Sequence, residues 1–293
     1  MVRHRRPAAL RPGPPVTAGS PIANAEFEIL PAAPNLAAYI RGYWFIRDLD
    51  GHYDGRAVRT APHPGAALSI NIAKPNRLEG ITPAPSLSLA GIQTQCRSWI
   101  ASDETYFVMA MLTLPGLAAL FPGTGAAAAN GLVDLEGDLG HRVTESLTRS
   151  VAAGWDPAAI KPILDAWLSE RLRTLPFDTA AYRAIRAYPR LKTANVGETA
   201  QRMGVSRRQL TRWFRDSIGI GPKALQDLER VSDSLWAAQS GGDAAEGYYD
   251  QSHQIRAWRR HTGTTPVRYR FAGPSDIAAH FAERYGKHTP FYL

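Results

Sequence analysis

The stretch VGETAQRMGVSRRQLTRWFRDSIG, residues 196–219, decides how this chain is read. Val196, Ala200 and Met203 recur at helical spacing and give a first helix one apolar face, with Ala200 small enough for a second helix to cross close over it. Gly204 supplies the positive φ that a short turn between two helices requires. Val205 plugs the corner, and Ser206 stands where the next helix needs a cap. In that helix Leu210, Trp213 and Phe214 fall on one side, while Arg208, Thr211, Arg212 and Arg215 fall at i, i+3, i+4 and i+7 on the other. The pattern predicts a helix-turn-helix; a helical hairpin with a basic solvated face is the plainer alternative. A guanidinium can take guanine O6 and N7 together in the major groove, so the four outward residues are candidates for base contacts. Ser206 and Arg207, at the helix N-terminus, are candidates for phosphate contacts.

Downstream, GIGPKALQDLERVSDSLWAAQSGG opens a helix at Gly221 and Pro222 and lines one face with Leu225, Leu228 and Leu235. Such a helix, about 28 Å long, could join two reading units to successive turns of one groove, ~34 Å apart. A final block, GYYDQSHQIRAWRRHTGTTPVRYRF (247–271), predicts another helix capped by Asp250 or Ser252. Ile255 and Trp258 face inward there and Arg256, Arg259 and Arg260 outward, before TGTTP stops it.

Together, SRRQLTRWFR…GIGPK at 206–223 and GYYDQSH…RAWRRHTGTTPVRYR at 247–270 resemble the AraC/XylS family of bacterial transcription regulators. The resemblance spans about 90 residues and includes the family's G-x-x-P and T-P-x-x-Y-R terminators in order. It implies two helix-turn-helix units joined by a long helix, behind an N-terminal domain, often a cupin-like β-barrel, that binds an effector or mediates dimerisation. By motif position it implies that Arg208, Thr211 and Arg212 meet bases in the first unit, and Gln251, Ser252 and Arg256 in the second. Three departures stand out. Only 16 residues separate Arg230 from Gly247, some seven fewer than the family usually has, and the deficit should fall on the positioning helix of the second unit. Gln254 occupies a position where the family buries a large apolar residue, and Thr199 replaces a usual leucine. The second unit (244–262) is therefore expected to be poorly supported and to assist the first (196–215), with more phosphate contact than base readout.

Charge is partitioned along the 293 residues. Residues 1–181 hold 16 Lys/Arg against 16 Asp/Glu, residues 182–272 hold 16 against 8, and 273–293 hold two of each. All of the net +8 therefore lies in the segment with the helix-turn-helix pattern, as in a domain that approaches a polyanion. Between 27 and 115, AAYIRGYWFIRDL, RAVRTAP, AALSINIA, SLSLAGIQ and TYFVMAMLTL read as short strands, predicting a small antiparallel barrel or sandwich. Leu135, Leu139, Val143, Leu147 and Val151 suggest one helix; Ile160, Ile163, Leu164, Trp167, Leu168 and Leu172 form the stripe of another, a core face or a dimer face. TLPFDTAA (174–181) reads as a connection.

Other chemistries find little support. His52, His63 and Asp54 are the metal candidates, but no H-x-H occurs and His63, between prolines, reads as a turn residue. The single Cys96 excludes an internal disulfide framework and reads as a buried or incidental thiol. Gly-Thr-Gly at 123–125 reads as a loop before a small-residue run, and no P-loop or nucleophile elbow is present. Trp44, Phe45, Tyr53, Trp99 and Tyr106 could line a pocket or fill a core.

The expected fold is α+β: a flexible basic arm (1–24), a β-rich antiparallel, cupin-like sensor or dimerisation domain ending in two helices (25–175), an all-α helix-turn-helix domain (176–272) and a tail (273–293). The expected protein is a sequence-specific DNA-binding regulator, cytoplasmic and homodimeric, not an enzyme, with no cofactor, metal or membrane segment. Double-stranded DNA is its partner, an effector of unknown identity and RNA polymerase being further candidates. The alternative is a small-molecule-binding or catalytic cupin-like barrel whose degenerate C-terminal domain no longer reads DNA.

Overall fold

A computed structural model of the protein describes residues 26–80, 82–135, 141–152, 156–174, 179–273 and 275. The arm expected at 1–24, and the tail apart from Gly273 and Ser275, lie outside the described residues. The strands run β1 (Glu26–Leu30), β2 (Ile40–Asp48), β3 (Ala57–Thr60), β4 (Ala66–Asn71), β5 (Arg77–Leu78), β6 (Thr82–Pro83), β7 (Leu87–Ala90), β8 (Arg97–Ile100), β9 (Thr105–Leu112) and β10 (Leu132–Asp134). One antiparallel sheet has the order β1-β2-β9-β4-β7-β10, and a smaller one the order β3-β8-β5-β6.

The large sheet is covered on both faces, which explains why β2 and β9 read as near-continuous apolar runs instead of alternating ones. Tyr43, Phe45, Leu68, Ile70, Leu87, Leu89, Val108 and Ala110 pack toward helices. Phe27, Trp44, Ile46, Ala67, Met109 and Met111 pack on the opposite face, toward the small sheet. The aromatic candidates divide accordingly: Phe45 and Tyr106 belong to the helix-side core, Trp44 to the inter-sheet cluster, and Tyr53 and Trp99 line a cavity between the sheets.

The helices are α1 (Leu114–Leu120), α2 (Gly125–Ala128), α3 (His141–Ala152), α4 (Pro157–Thr174), α5 (Thr179–Leu191), α6 (Val196–Arg202), α7 (Arg207–Ile218), α8 (Pro222–Gln239), α9 (Gln251–Thr262) and α10 (Pro266–Ala272). The stripe of α4 is a core face: Ile160, Leu164 and Leu168 are fully buried, and Asp165 accepts from the Tyr43 hydroxyl (2.8 Å) and the Ala33 amide (2.9 Å) to fasten the helix to the sheet. No helix among the described residues is long and apolar enough to cross a membrane.

Several local expectations are corrected. Leu135 lies just past β10, its amide donating to Leu87 O, and Val143 belongs to α3, while Leu139 of the same stripe lies outside the described residues. The loop expected at 123–125 ends at Thr124, and Gly125–Ala128 of the small-residue run forms α2. The connection at 174–181 already contains the start of α5. His63 is buried rather than at an exposed turn, bridged through its backbone to Gln93. β1 and β8 were not anticipated.

One apolar cluster passes from the β-sheet through α1, α4 and α5 into Ala200, Leu210, Phe214, Leu225 and Leu228 without a break. Within this architecture, burial and the nearby Arg41 charge lower the His63 pKa to about 3. From pH ~6.5, the ordinary imidazole value, down to about 3, the unfolded chain takes up a proton that the folded chain refuses, so stability falls as acid is added. Thermal midpoints measured from pH 7.5 to 4.5 should fall less steeply for His63→Gln than for the native chain. Equal slopes would place the acid sensitivity elsewhere.

Candidate nucleic-acid interface

The first reading unit is built from the residues the sequence singled out. Asn195 caps α6 by accepting from Glu198 N (3.0 Å), Gly204 makes the turn at φ 67°, and Ser206 caps α7 by accepting from Gln209 N (3.1 Å). Leu210, Trp213 and Phe214 are buried, and the Arg183 guanidinium lies 5.2 Å from the Trp213 ring centroid. Arg207, Arg208, Arg212 and Arg215 are exposed along the opposite face. Thr211 is half-buried and donates its hydroxyl to Arg207 O (2.8 Å), while the Arg207 guanidinium lies across Gly197 of α6.

The second unit lacks its first helix, as the missing residues predicted: turns occupy 241–249 between α8 and α9. A polar knot replaces that helix. Ser234 Oγ receives Trp258 Nε1 (2.8 Å) and itself donates to Ala244 O, which also accepts from the buried Gln254 amide. Gln254 is therefore compatible with burial because the loop carbonyl meets it. Asp250, not Ser252, is the cap of α9 (His253 N, 2.7 Å). Ile255 is half-buried, whereas Gln251, Ser252, Arg256, Arg259 and Arg260 are exposed. The face of α7 (Arg207, Thr211, Arg215) and the end of α9 (Arg260, His261) border one open depression.

Electrostatics sharpen the contrast between these faces and the rest of the domain. Asp227 is held by Lys223 (3.1 Å) and Arg230 (3.2 Å). Glu229 accepts from the Tyr188 hydroxyl at 2.5 Å, and burial pushes its carboxyl up. Among the described residues, by contrast, none of Arg207, Arg208, Arg212, Arg215, Arg256, Arg259 and Arg260 has an acidic partner.

Three features escaped sequence reasoning. At the end of α7, a Cβ on Gly125 of α2 would lie 2.5 Å from Ser217 O and 2.7 Å from Ile218 Cα, and Gly219 (φ 87°) abuts Gly125 O. The small residues of FPGTGAAAANG are thus a docking surface for the reading helix. The second is the segment from Ala90 to Cys96. Gly91 N donates to Ala128 O (3.0 Å) beside α2, Thr94 O meets His261 Nδ1 (2.6 Å), and Cys96 N donates to His261 O (3.0 Å). The third is Cys96 itself, whose thiol burial pushes to about 11 and which sits against Thr262 O at that contact. The proposed metal candidates do not converge: His52 is tied to Asp48 (2.8 Å), Asp54 is exposed and His63 is buried, and no metal-holding group of His, Cys, Asp or Glu occurs among the described residues.

Residues 199–272 match the family model described as a helix-turn-helix domain. This part of the chain is a helix-turn-helix domain. Among solved structures, ToxT from Vibrio cholerae O395 is similar at 12% identity and TM-score 0.42, covering 80% of this chain and 98% of ToxT. ToxT of strain SCE256 with a bound unsaturated fatty acid gives 13% and 0.41 over 75% and 92%, and the AraC-like transcriptional activator CuxR gives 13% and 0.28 over 75% and 88%. No curated protein sequence matches.

Thr199, at the usual leucine position, is fully buried, and its hydroxyl has no partner among the described residues. Removing a buried unsatisfied hydroxyl without changing the side chain's shape should relieve a penalty. Thr199→Val is expected to raise stability by about 1 kcal/mol, seen as a higher urea midpoint at unchanged slope; a lower midpoint would mean the hydroxyl is satisfied after all.

Proposed function

We propose that the protein regulates transcription by placing α7 in the major groove, with Arg208, Thr211 and Arg212 at base edges and Arg215, Arg207 and Ser206 at the groove walls. Around α9, Arg256, Arg259 and Arg260, with Gln251 and Ser252, supply mainly phosphate contacts. The observation that carries this reading is the pair of faces of α7: one locked into the core, the other bearing four exposed arginines with no acidic partner among the described residues. Binding as dimers on paired half-sites follows from having one fully supported reader per chain. The dimer surface is not the α4 stripe, whose leucines and isoleucine are used internally.

The β-domain acts as the sensor. An effector in the cavity between its sheets changes the population competent to bind DNA. The Ala90–Cys96 segment supports this reading, since Ala90 and Gln93 line the cavity while Gly91 touches α2 and Thr94 and Cys96 touch α9.

The test is fluorescence anisotropy of the full chain on a duplex selected from a random pool, between 50 and 200 mM salt. Arg208→Ala should lose about 5- to 150-fold of the preference for the selected site, the worth of a bidentate arginine–guanine pair. Arg259→Ala should weaken all sequences alike and reduce the salt slope by about one. Greater loss of discrimination in Arg256→Ala than in Arg208→Ala would reverse the roles of the two units. Absence of duplex binding at the lowest salt would leave the reading as a ligand-binding barrel with a degenerate C-terminal domain.

A further inference from the structure

We infer that the cavity between the two sheets binds a small, uncharged, mostly apolar molecule with a single hydrogen-bonding group. This rests on the reading of the β-domain as a sensor and names the chemical class it senses. The cavity exists because neighbouring strands place small side chains on the inter-sheet face: Ala67 and Ser69 on β4, Ser88 and Ala90 on β7. Larger apolar groups, including Phe107, Met109 and Trp99, wall in the space that this leaves.

Its volume is about 90 Å³, measured to the centres of water-sized spheres. An apolar cavity of about 150 Å³ takes benzene, so this space, which is partly open to its surroundings, is scaled to one small ring.

Polarity narrows the class. Ser88 is fully buried, and its hydroxyl has no partner among the described residues. Gln93 is buried too; its Oε1 accepts from Thr60 Oγ1 (3.2 Å), while none of the described groups accepts from its Nε2. Buried polar groups are normally paired, so two such groups on one apolar wall point to a ligand that pairs them. Charge excludes the ionic alternatives. The wall has no Lys, Arg or His, and its one acidic side chain is Asp48. Asp48 already accepts from His52 N (3.0 Å), His52 Nδ1 (2.8 Å) and Tyr53 N (2.8 Å). A carboxylate ligand would be desolvated beside that carboxylate with no counter-charge, and an ammonium would find one Oδ2 lone pair of Asp48 left, too little to replace its hydration.

The experiment compares matched probes of one shape at pH 7.5 on the full chain: benzamide and benzyl alcohol, benzoate, and benzylamine, with decanoate as a longer anion. Thermal midpoints and calorimetric titration are the readouts. The two neutral probes are expected to bind and raise the midpoint, whereas the ionic ones do not. Gln93→Met should weaken benzamide at least tenfold, and Ser88→Leu or Ala90→Val, whichever folds, should abolish the shift by filling the space. A larger shift with benzoate, benzylamine or decanoate overturns the inference, as does the absence of any shift with both neutral probes, or a shift that survives cavity filling. Anisotropy of the DNA complex with saturating benzamide separates the two readings. Binding in the cavity that leaves DNA affinity unchanged supports the ligand class while removing the sensor role.

Discussion

The structure depends on the place where the backbone of α2 meets the end of α7. A helix can offer a rigid face to a groove only if its other face is fixed, and here the fixing extends beyond the side chains. With glycine at both 125 and 219, peptide groups of the two elements approach to a separation that any Cβ would prevent. Around that contact, Leu210, Phe214 and Ile218 continue the core that begins in the β-sheet. The reading helix is therefore part of the body of the protein rather than a tethered appendage, and the arginines on its far side are held by the same packing that buries its leucine and phenylalanine.

What was legible in the sequence was what short-range periodicity encodes. The amphipathic face of α7, its serine cap and the glycine turn all lie within 24 residues and need no distant partner to be recognised. The long strands were legible for a similar reason, since β2 and β9 are runs of apolar residues bounded by turns. The shortened second unit was visible as a length deficit, and the structure puts the deficit where the positioning helix would stand. How that loss is accommodated was not visible, because Ser234, Ala244, Gln254 and Trp258 come together only in three dimensions.

The misses have physical causes as well. β1 and β8 are short, and α2 has four residues, too few for a periodic signal. Leu135 stands at a helical spacing from Val143 although it lies just past β10, where a buried leucine can sit at any phase. The cavity was hidden for a different reason. Alanine and serine on alternate positions of β4 and β7 look like ordinary strand residues until the opposite sheet is in place. Cys96 reads in the sequence as a buried or incidental thiol, but its position against Thr262 O, between the β-domain and the second reading helix, belongs to tertiary structure alone.

The stretch from Ala90 to Cys96 has a mechanical consequence. It borders the cavity, leans on the short helix that backs the first reader and hydrogen-bonds the end of the second. On the function proposed above, both readers are linked to a single strand end, and a displacement there would disturb the two grips on the duplex in concert. Penalties incurred at the two grips add as free energies and so multiply in affinity. On that proposal, a modest movement inside the sandwich would work as a steep throttle on occupancy of the DNA site.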